Sequence, residues 1–92
     1  MDASRYPEEK GQMIINGARM EWIFRRYKAE SAFCINGSRI FDLRLIKDGK
    51  TIGKYNMGWE KKIPDEDEEG NLCLTYILGR FGKQRKKVKK DE

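Results

Sequence analysis

The segment from Ser31 to Trp59 constrains the fold most, because runs of branched and aromatic residues alternate there with tight-turn dipeptides. Asp48-Gly49 separates two such runs, and Asn16-Gly17 does the same nearer the N-terminus. Asn-Gly and Asp-Gly supply the positive φ angles that a two-residue hairpin loop requires. The sequence therefore predicts an antiparallel sheet built from hairpins.

Alternating apolar residues predict the strands and the face of each that forms the core. The predicted strands are Gln12 to Ile15, Ala18 to Lys28, Ile40 to Lys47 and Thr51 to Met57, with Phe33 to Ile35 extended into an Asn36-Gly37 turn. The predicted core rows are Met20, Trp22 and Phe24 on the second strand and Phe41, Leu43 and Leu45 on the third.

A two-residue loop at Asp48-Gly49 would also fix the register of the following strand. In that register Ile52 lies opposite Leu45 and Tyr55 lies opposite Asp42. Tyr55 is then expected on the face of the sheet away from the apolar row.

After Pro64 the apolar spacing becomes helical, with Leu74, Ile77, Leu78 and Phe81 at i, i+3, i+4 and i+7. Asp65 is the predicted N-cap, the acidic residues after it suit the positive end of a helix dipole, and Gly82 is the predicted stop. Together these patterns predict an α+β fold, an antiparallel sheet of three to five strands with one C-terminal helix packed on one face.

A chain of 92 residues has room for one small domain, which we expect at residues 11–82. Residues 1–10 are the predicted flexible lead-in, and residues 83–92 the predicted disordered basic tail. Neither a run of about 18 apolar residues nor a secretory leader is present, so we expect a cytoplasmic protein that makes no membrane contact.

Catalytic and metal chemistry have little support in the sequence. There is no histidine, and Cys34 and Cys73 supply half of a tetrahedral zinc site. The two cysteines are predicted to be buried free thiols, with a disulfide as the alternative. We therefore expect no catalytic residues, no metal and no cofactor, and a protein that is not an enzyme.

Two basic features are candidate binding surfaces. The tail carries Lys83, Arg85, Lys86 and Lys87, which would be drawn to a phosphate backbone or would simply keep the protein soluble. The face away from the helix is predicted to gather four cationic and aromatic residues, Arg25, Tyr27, Arg44 and Tyr55. Such a mixture suits single-stranded nucleic acid, a protein hot spot or an ordinary solvated face.

Similarity to a known family lies in four parts of the chain: the stretch from Ser31 to Ile40, Leu43, the stretch from Tyr55 to Trp59 and the acidic helix start. These parts resemble a family of small uncharacterised bacterial proteins from phages, plasmids and integrative elements. Its members share a serine-phenylalanine-glycine-isoleucine run, a glycine-arginine-isoleucine corner and a tyrosine-aspartate-arginine-glycine-tryptophan close. The resemblance implies a mobile-element setting and an antiparallel sheet with a C-terminal helix. It also singles out Arg39 and Trp59, the latter with a core or corner position as its alternative.

Two functional hypotheses follow from these features. In the first, the protein binds a host protein or a nucleoprotein complex in stoichiometric amounts, for instance as an anti-defence inhibitor of the anti-CRISPR kind. In the second, it binds DNA or RNA through the basic sheet face and tail. An unpaired edge at Gln12 to Ile15 would in addition favour a homodimer by strand addition.

Overall fold

The two predicted hairpin loops organise the sheet. Asn16 and Gly17 have φ angles of 50° and 82°, and Asp48 and Gly49 have φ angles of 49° and 83°. Both pairs therefore lie in the left-handed region that tight hairpins require. The predicted positions of both loops are therefore confirmed. The computed structural model describes residues 6–83 of the chain.

Five antiparallel strands and one helix form the α+β fold that the sequence predicts. The strands follow one another in chain order across a single sheet, so that each pairs with the next. The elements are β1 (Glu9–Ile15), β2 (Ala18–Arg26), β3 (Ile40–Lys47), β4 (Lys50–Asn56), β5 (Trp59–Lys61) and α1 (Glu68–Ile77), the last continued by a π-helical turn at Leu78–Gly82. No helix among the described residues is long and apolar enough to cross a membrane.

The core lies between α1 and one face of the sheet. Met20, Trp22 and Phe24 on β2 are buried there, as their alternation predicts, and Cys73 and Ile77 cover them from the helix. No helix from residues 6–83 packs on the opposite face, and we call it the outer face. Both cysteines are buried free thiols, as predicted.

Three register shifts change which side chains reach each face. At the shift between β3 and β4, Gly53 rather than Ile52 lies opposite Leu45, and Tyr55 lies opposite Leu43. One extra residue moves every later side chain to the other face, because the strand repeat is two residues. The expected position of Tyr55 on the outer face is therefore wrong, and this residue belongs to the core.

Two further predictions fail around the loop between β2 and β3. Phe33 to Ile35 is not a strand, since Ile35–Gly37 forms a short 3₁₀ turn after a bend. Phe41 is buried but does not join the row of Leu43 and Leu45, because a register shift at Arg25 and Arg26 leaves it packed against Tyr27. The loop therefore contributes a compact turn rather than a strand.

The helix begins two residues later than its predicted cap. Asp67, not Asp65, is the N-cap, and its carboxylate accepts a hydrogen bond of 2.9 Å from the Gly70 N–H. Lys47, from the end of β3, donates to both Asp67 and Glu69 at 3.0 Å and ties the sheet to the first helical turn. Gly70 is buried where the helix meets the sheet, since a Cβ there would lie 2.7 Å from Ile52.

Candidate functional site

Arg25 is on the outer face, as predicted, but its charge is already matched. Its Nη1 lies 3.1 Å from Asp42 and its Nη2 lies 3.5 Å from Glu8. The Nε is buried with no hydrogen-bond partner within residues 6–83. Arg25 therefore holds the β2–β3 pairing and offers little free positive charge to a ligand.

Tyr27 is held in an aromatic cluster rather than presented for base stacking. Its ring stacks on Phe41 with centroids 4.3 Å apart, and Tyr6 meets it edge-on at 5.2 Å. Burial raises the pKa of the Tyr27 hydroxyl, so it stays protonated near neutral pH. With Tyr55 on the core side, the predicted group of four side chains does not assemble.

Arg44 is exposed and is part of a surface that was not predicted from the sequence. It lies between Ile23 on β2 and Lys54 on β4, while Ile23 faces Lys10 on β1 and Lys54 faces Lys61 on β5. These pairings place one outer-face residue from every strand in a single line across the sheet. We call Lys10, Arg44, Lys54 and Lys61 the cation row. At about 4.8 Å per strand it spans about 19 Å.

The cation row is unfavourable for folding by itself. Like charges directly opposite each other on paired strands are destabilising, and Arg44, Lys54 and Lys61 are consecutive neighbours. Within the described residues the row makes one ion pair, between Lys54 and Glu60 at 3.3 Å. Three of its four cations are therefore left for an anionic partner.

Arg39 and Lys83 come together although 44 positions separate them in the chain numbering. Both line a concavity of about 340 Å³ at the end of the helix. The Arg39 Nε donates to the Tyr27 carbonyl at 2.8 Å, which fixes the arginine beside the opening. The other predicted tail residues, Arg85, Lys86 and Lys87, lie outside the described residues.

Trp59, singled out by the resemblance, lies on the core side of the sheet. It is partly buried, and its ring meets Tyr55 edge-on with centroids 5.1 Å apart. Burial also raises the pKa of the Tyr55 hydroxyl, which donates to the Phe33 carbonyl at 2.8 Å. Both aromatic residues therefore act in packing at this end of the sheet.

The two thiols are poor nucleophiles in this structure. Burial raises the pKa of Cys73 to about 11, and burial also raises the pKa of Cys34 despite a hydrogen bond with Ser31. A thiol reacts as the thiolate, so both side chains are unreactive near neutral pH. Within residues 6–83, no three histidine, cysteine, aspartate or glutamate side chains are grouped to hold a metal ion.

Comparison with protein-family models gives a match to most of the chain. The family model described as a domain of unknown function (DUF7678) matches residues 8–82, which include all five strands and the helix. No curated protein and no solved structure shows significant similarity to the chain.

Proposed function

We propose that this chain, which belongs to the DUF7678 family, is a cytoplasmic binding protein without catalytic activity whose outer face contacts the phosphate backbone of nucleic acid, either free or in a nucleoprotein complex. The observation that supports this proposal is the cation row. A surface that sets three cations side by side on neighbouring strands gains stability when a polyanion neutralises it. The resemblance to mobile-element proteins is consistent with such a role.

The outer face favours backbone contact over base stacking. Single-strand readers present aromatic rings beside their cations, whereas Tyr27 is stacked on Phe41 and Tyr55 lies in the core. One apolar residue, Ile23, lies between Lys10 and Arg44 of the cation row. We therefore expect binding that depends on charge and salt and is indifferent to sequence.

The test is the salt dependence of binding to a fluorescent DNA duplex. Each neutralised phosphate contributes about 0.9 to the slope of log K against log salt, so contacts from the three unpaired cations give a slope of about −2.7. Raising salt from about 50 to 200 mM should then weaken binding by about fortyfold. Removing two row cations in the double variant R44Q/K61Q should make the slope shallower by about 1.8.

The matched control is the double variant K28Q/K50Q, which loses the same charge at exposed positions off the row. It retains residues 84–92, so any contribution of the tail is the same in both proteins. Equal slopes for the two double variants would contradict the proposal, because binding would then follow net charge rather than the row.

A second candidate function, stoichiometric binding to a host protein, is favoured by a different observation. Phe33 and Met57 are 68% and 48% exposed, and both lie at the end of the sheet that carries Tyr27 and Tyr55. Exposed apolar side chains beside tyrosines are typical of protein contact surfaces. An anti-defence inhibitor is one protein of this kind.

Affinity capture from host lysate, with and without nuclease, separates the two functions. A host protein retained after nuclease treatment and lost with the double variant F33S/M57S would support the second function. Capture that disappears with nuclease would leave the nucleic-acid proposal as the better account.

A further inference from the structure

A second cationic surface lies at the end of the helix, apart from the cation row. Three separate segments build it, namely the end of β2, the residue before β3 and the turn that ends the helix. We call this concavity of about 340 Å³ the arginine notch, and its lining residues are Arg26, Arg39, Arg80, Phe81 and Lys83.

Two of the arginines are fixed in place. The Arg26 Nε donates to Glu9 at 2.8 Å, and its Nη1 donates to the Phe81 carbonyl at 2.9 Å. The Arg39 Nε donates to the Tyr27 carbonyl, while its backbone N–H donates to the Gly82 carbonyl at 2.7 Å. Arg26 and Arg39 are thus positioned before any ligand arrives, and their side chains lose little entropy on binding.

Within the part of the chain that the structure describes, the remaining arginine and lysine donors of the notch make no hydrogen bond to another residue. The Arg80 guanidinium lies over the Phe81 ring, 5.6 Å from its centroid, and Arg26 lies over the same ring at 5.7 Å. Among residues 6–83, Arg39, Arg80 and Lys83 make no ion pair with a carboxylate. Four cations therefore share one acidic partner, Glu9, and the notch keeps a surplus of positive charge.

Helix-end electrostatics account for only part of this arrangement. Cations near the C-terminus of a helix are stabilising because the carbonyl groups there carry partial negative charge. Here the Arg26 side chain already donates a hydrogen bond to the Phe81 carbonyl, and the Arg39 backbone N–H donates one to the Gly82 carbonyl. Hydrogen bonding to these carbonyl groups therefore does not account for the positive charges of Arg80 and Lys83.

We infer that the arginine notch binds a phosphate group. The free Nη groups of Arg39, the guanidinium of Arg80 and the ammonium of Lys83 supply its donors, and arginine forks match the geometry of phosphate oxygens. Because the Phe81 ring has two guanidinium neighbours, it holds the arginines rather than stacking on a base. The inference is independent of the cation row.

The test is an NMR titration of the ¹⁵N-labelled full-length chain with sodium phosphate at constant ionic strength. Arginine Nε–H signals and the backbone amides of Gly82 and Lys83 should shift with saturation. The double variant R80Q/K83Q, at two exposed positions, should weaken phosphate binding by about tenfold or more, since charged hydrogen bonds are lost. The double variant K28Q/K50Q should bind phosphate as the unmodified chain does.

Several outcomes distinguish this inference from the proposed function. Phosphate shifts that persist in R44Q/K61Q, while its duplex binding is weakened and its salt slope is shallower, would support both sites as separate surfaces. Displacement of phosphate by duplex would identify the notch ligand as a backbone phosphate, and simultaneous binding would identify it as a free one. The inference is overturned if phosphate moves no notch signal, or if R80Q/K83Q binds phosphate as tightly as K28Q/K50Q does.

Discussion

Substitution of Tyr55 tests the register of the sheet, because its side chain would face solvent in the simple hairpin register and faces the core in the structure. Tyr55 is 7% exposed, lies opposite Leu43 and contacts the ring of Trp59 edge-on. Its hydroxyl donates to the Phe33 carbonyl at 2.8 Å. The two substitutions Tyr55→Phe and Tyr55→Ala remove the hydroxyl alone and then the whole ring.

The expected losses in the free energy of unfolding follow from these contacts. Tyr55→Phe removes one hydrogen bond and should cost about 1 kcal/mol. Tyr55→Ala removes a buried aromatic ring and should cost about 3–5 kcal/mol. For a domain of this size, each kcal/mol lowers Tm by about 4–8 °C.

Urea unfolding followed by tryptophan fluorescence measures both values, with Lys54→Ala as the matched control on the outer face. The Lys54 side chain is 44% exposed and makes one surface ion pair, so its loss should change the free energy of unfolding by about 0.5 kcal/mol. If Tyr55→Ala cost no more than Lys54→Ala, Tyr55 would lie on the outer face. That result would contradict the register shift between β3 and β4, and with it the strand pairing that defines the cation row.

Three other predictions concern the core and the helix start. Gly11→Ala should lower the free energy of unfolding by about 1–3 kcal/mol, because the added methyl would lie 2.5 Å from the Trp22 ring, and an unchanged urea midpoint would contradict this. Burial raises the pKa of Asp67, but a backbone N–H and the Lys47 ammonium outweigh burial and lower it below the usual 3.8. The stability that Asp67 contributes is therefore complete above the unfolded value of 3.8 and is lost as the pH falls through the lowered value. Asp67→Asn should therefore flatten the pH dependence of the urea midpoint below about pH 4, and an unaltered pH profile would count against it. Cys73, whose pKa is raised to about 11, should react with an aromatic disulfide at pH 8 only after unfolding, and rapid labelling of native Cys73 would show that the helix does not cover it.

The hairpins could be predicted from sequence because their chemistry is local. Asn16-Gly17 and Asp48-Gly49 adopt positive φ angles that few other residue pairs tolerate, so the turns are specified by the residues themselves. The core row of Met20, Trp22 and Phe24 follows equally directly from alternation on a strand that is covered on one face.

The bulges could not be predicted by alternation alone, and they decide the candidate site. Gly53 gave the available signal, since a glycine inside a strand often marks a bulge or a close approach. In the structure a Cβ at Gly53 would lie 2.6 Å from Ile63, so the glycine admits that side chain to the core. The resulting shift buries Tyr55 and aligns Arg44 with Lys54.

The arginine notch depends on contacts that are distant in the chain. Arg39 and Lys83 were each candidates from sequence, one by resemblance and one as part of the tail, with nothing to join them. The hydrogen bonds from Arg26 to Phe81 and from Arg39 to Gly82 bring the end of the helix against the sheet. Such pairings arise from tertiary packing, which local sequence patterns do not encode.

The strand order also has a kinetic consequence. Each strand pairs with its neighbour in the chain, so the sheet forms by closing short loops, and proteins dominated by such local contacts fold quickly. The helix makes contacts of longer range, because two of its anchors join residues 53 and 55 positions apart, Asn16 to Glu69 and Arg26 to Phe81. Loop closure costs more entropy as the loop lengthens, so we expect the sheet to form before the helix docks on it.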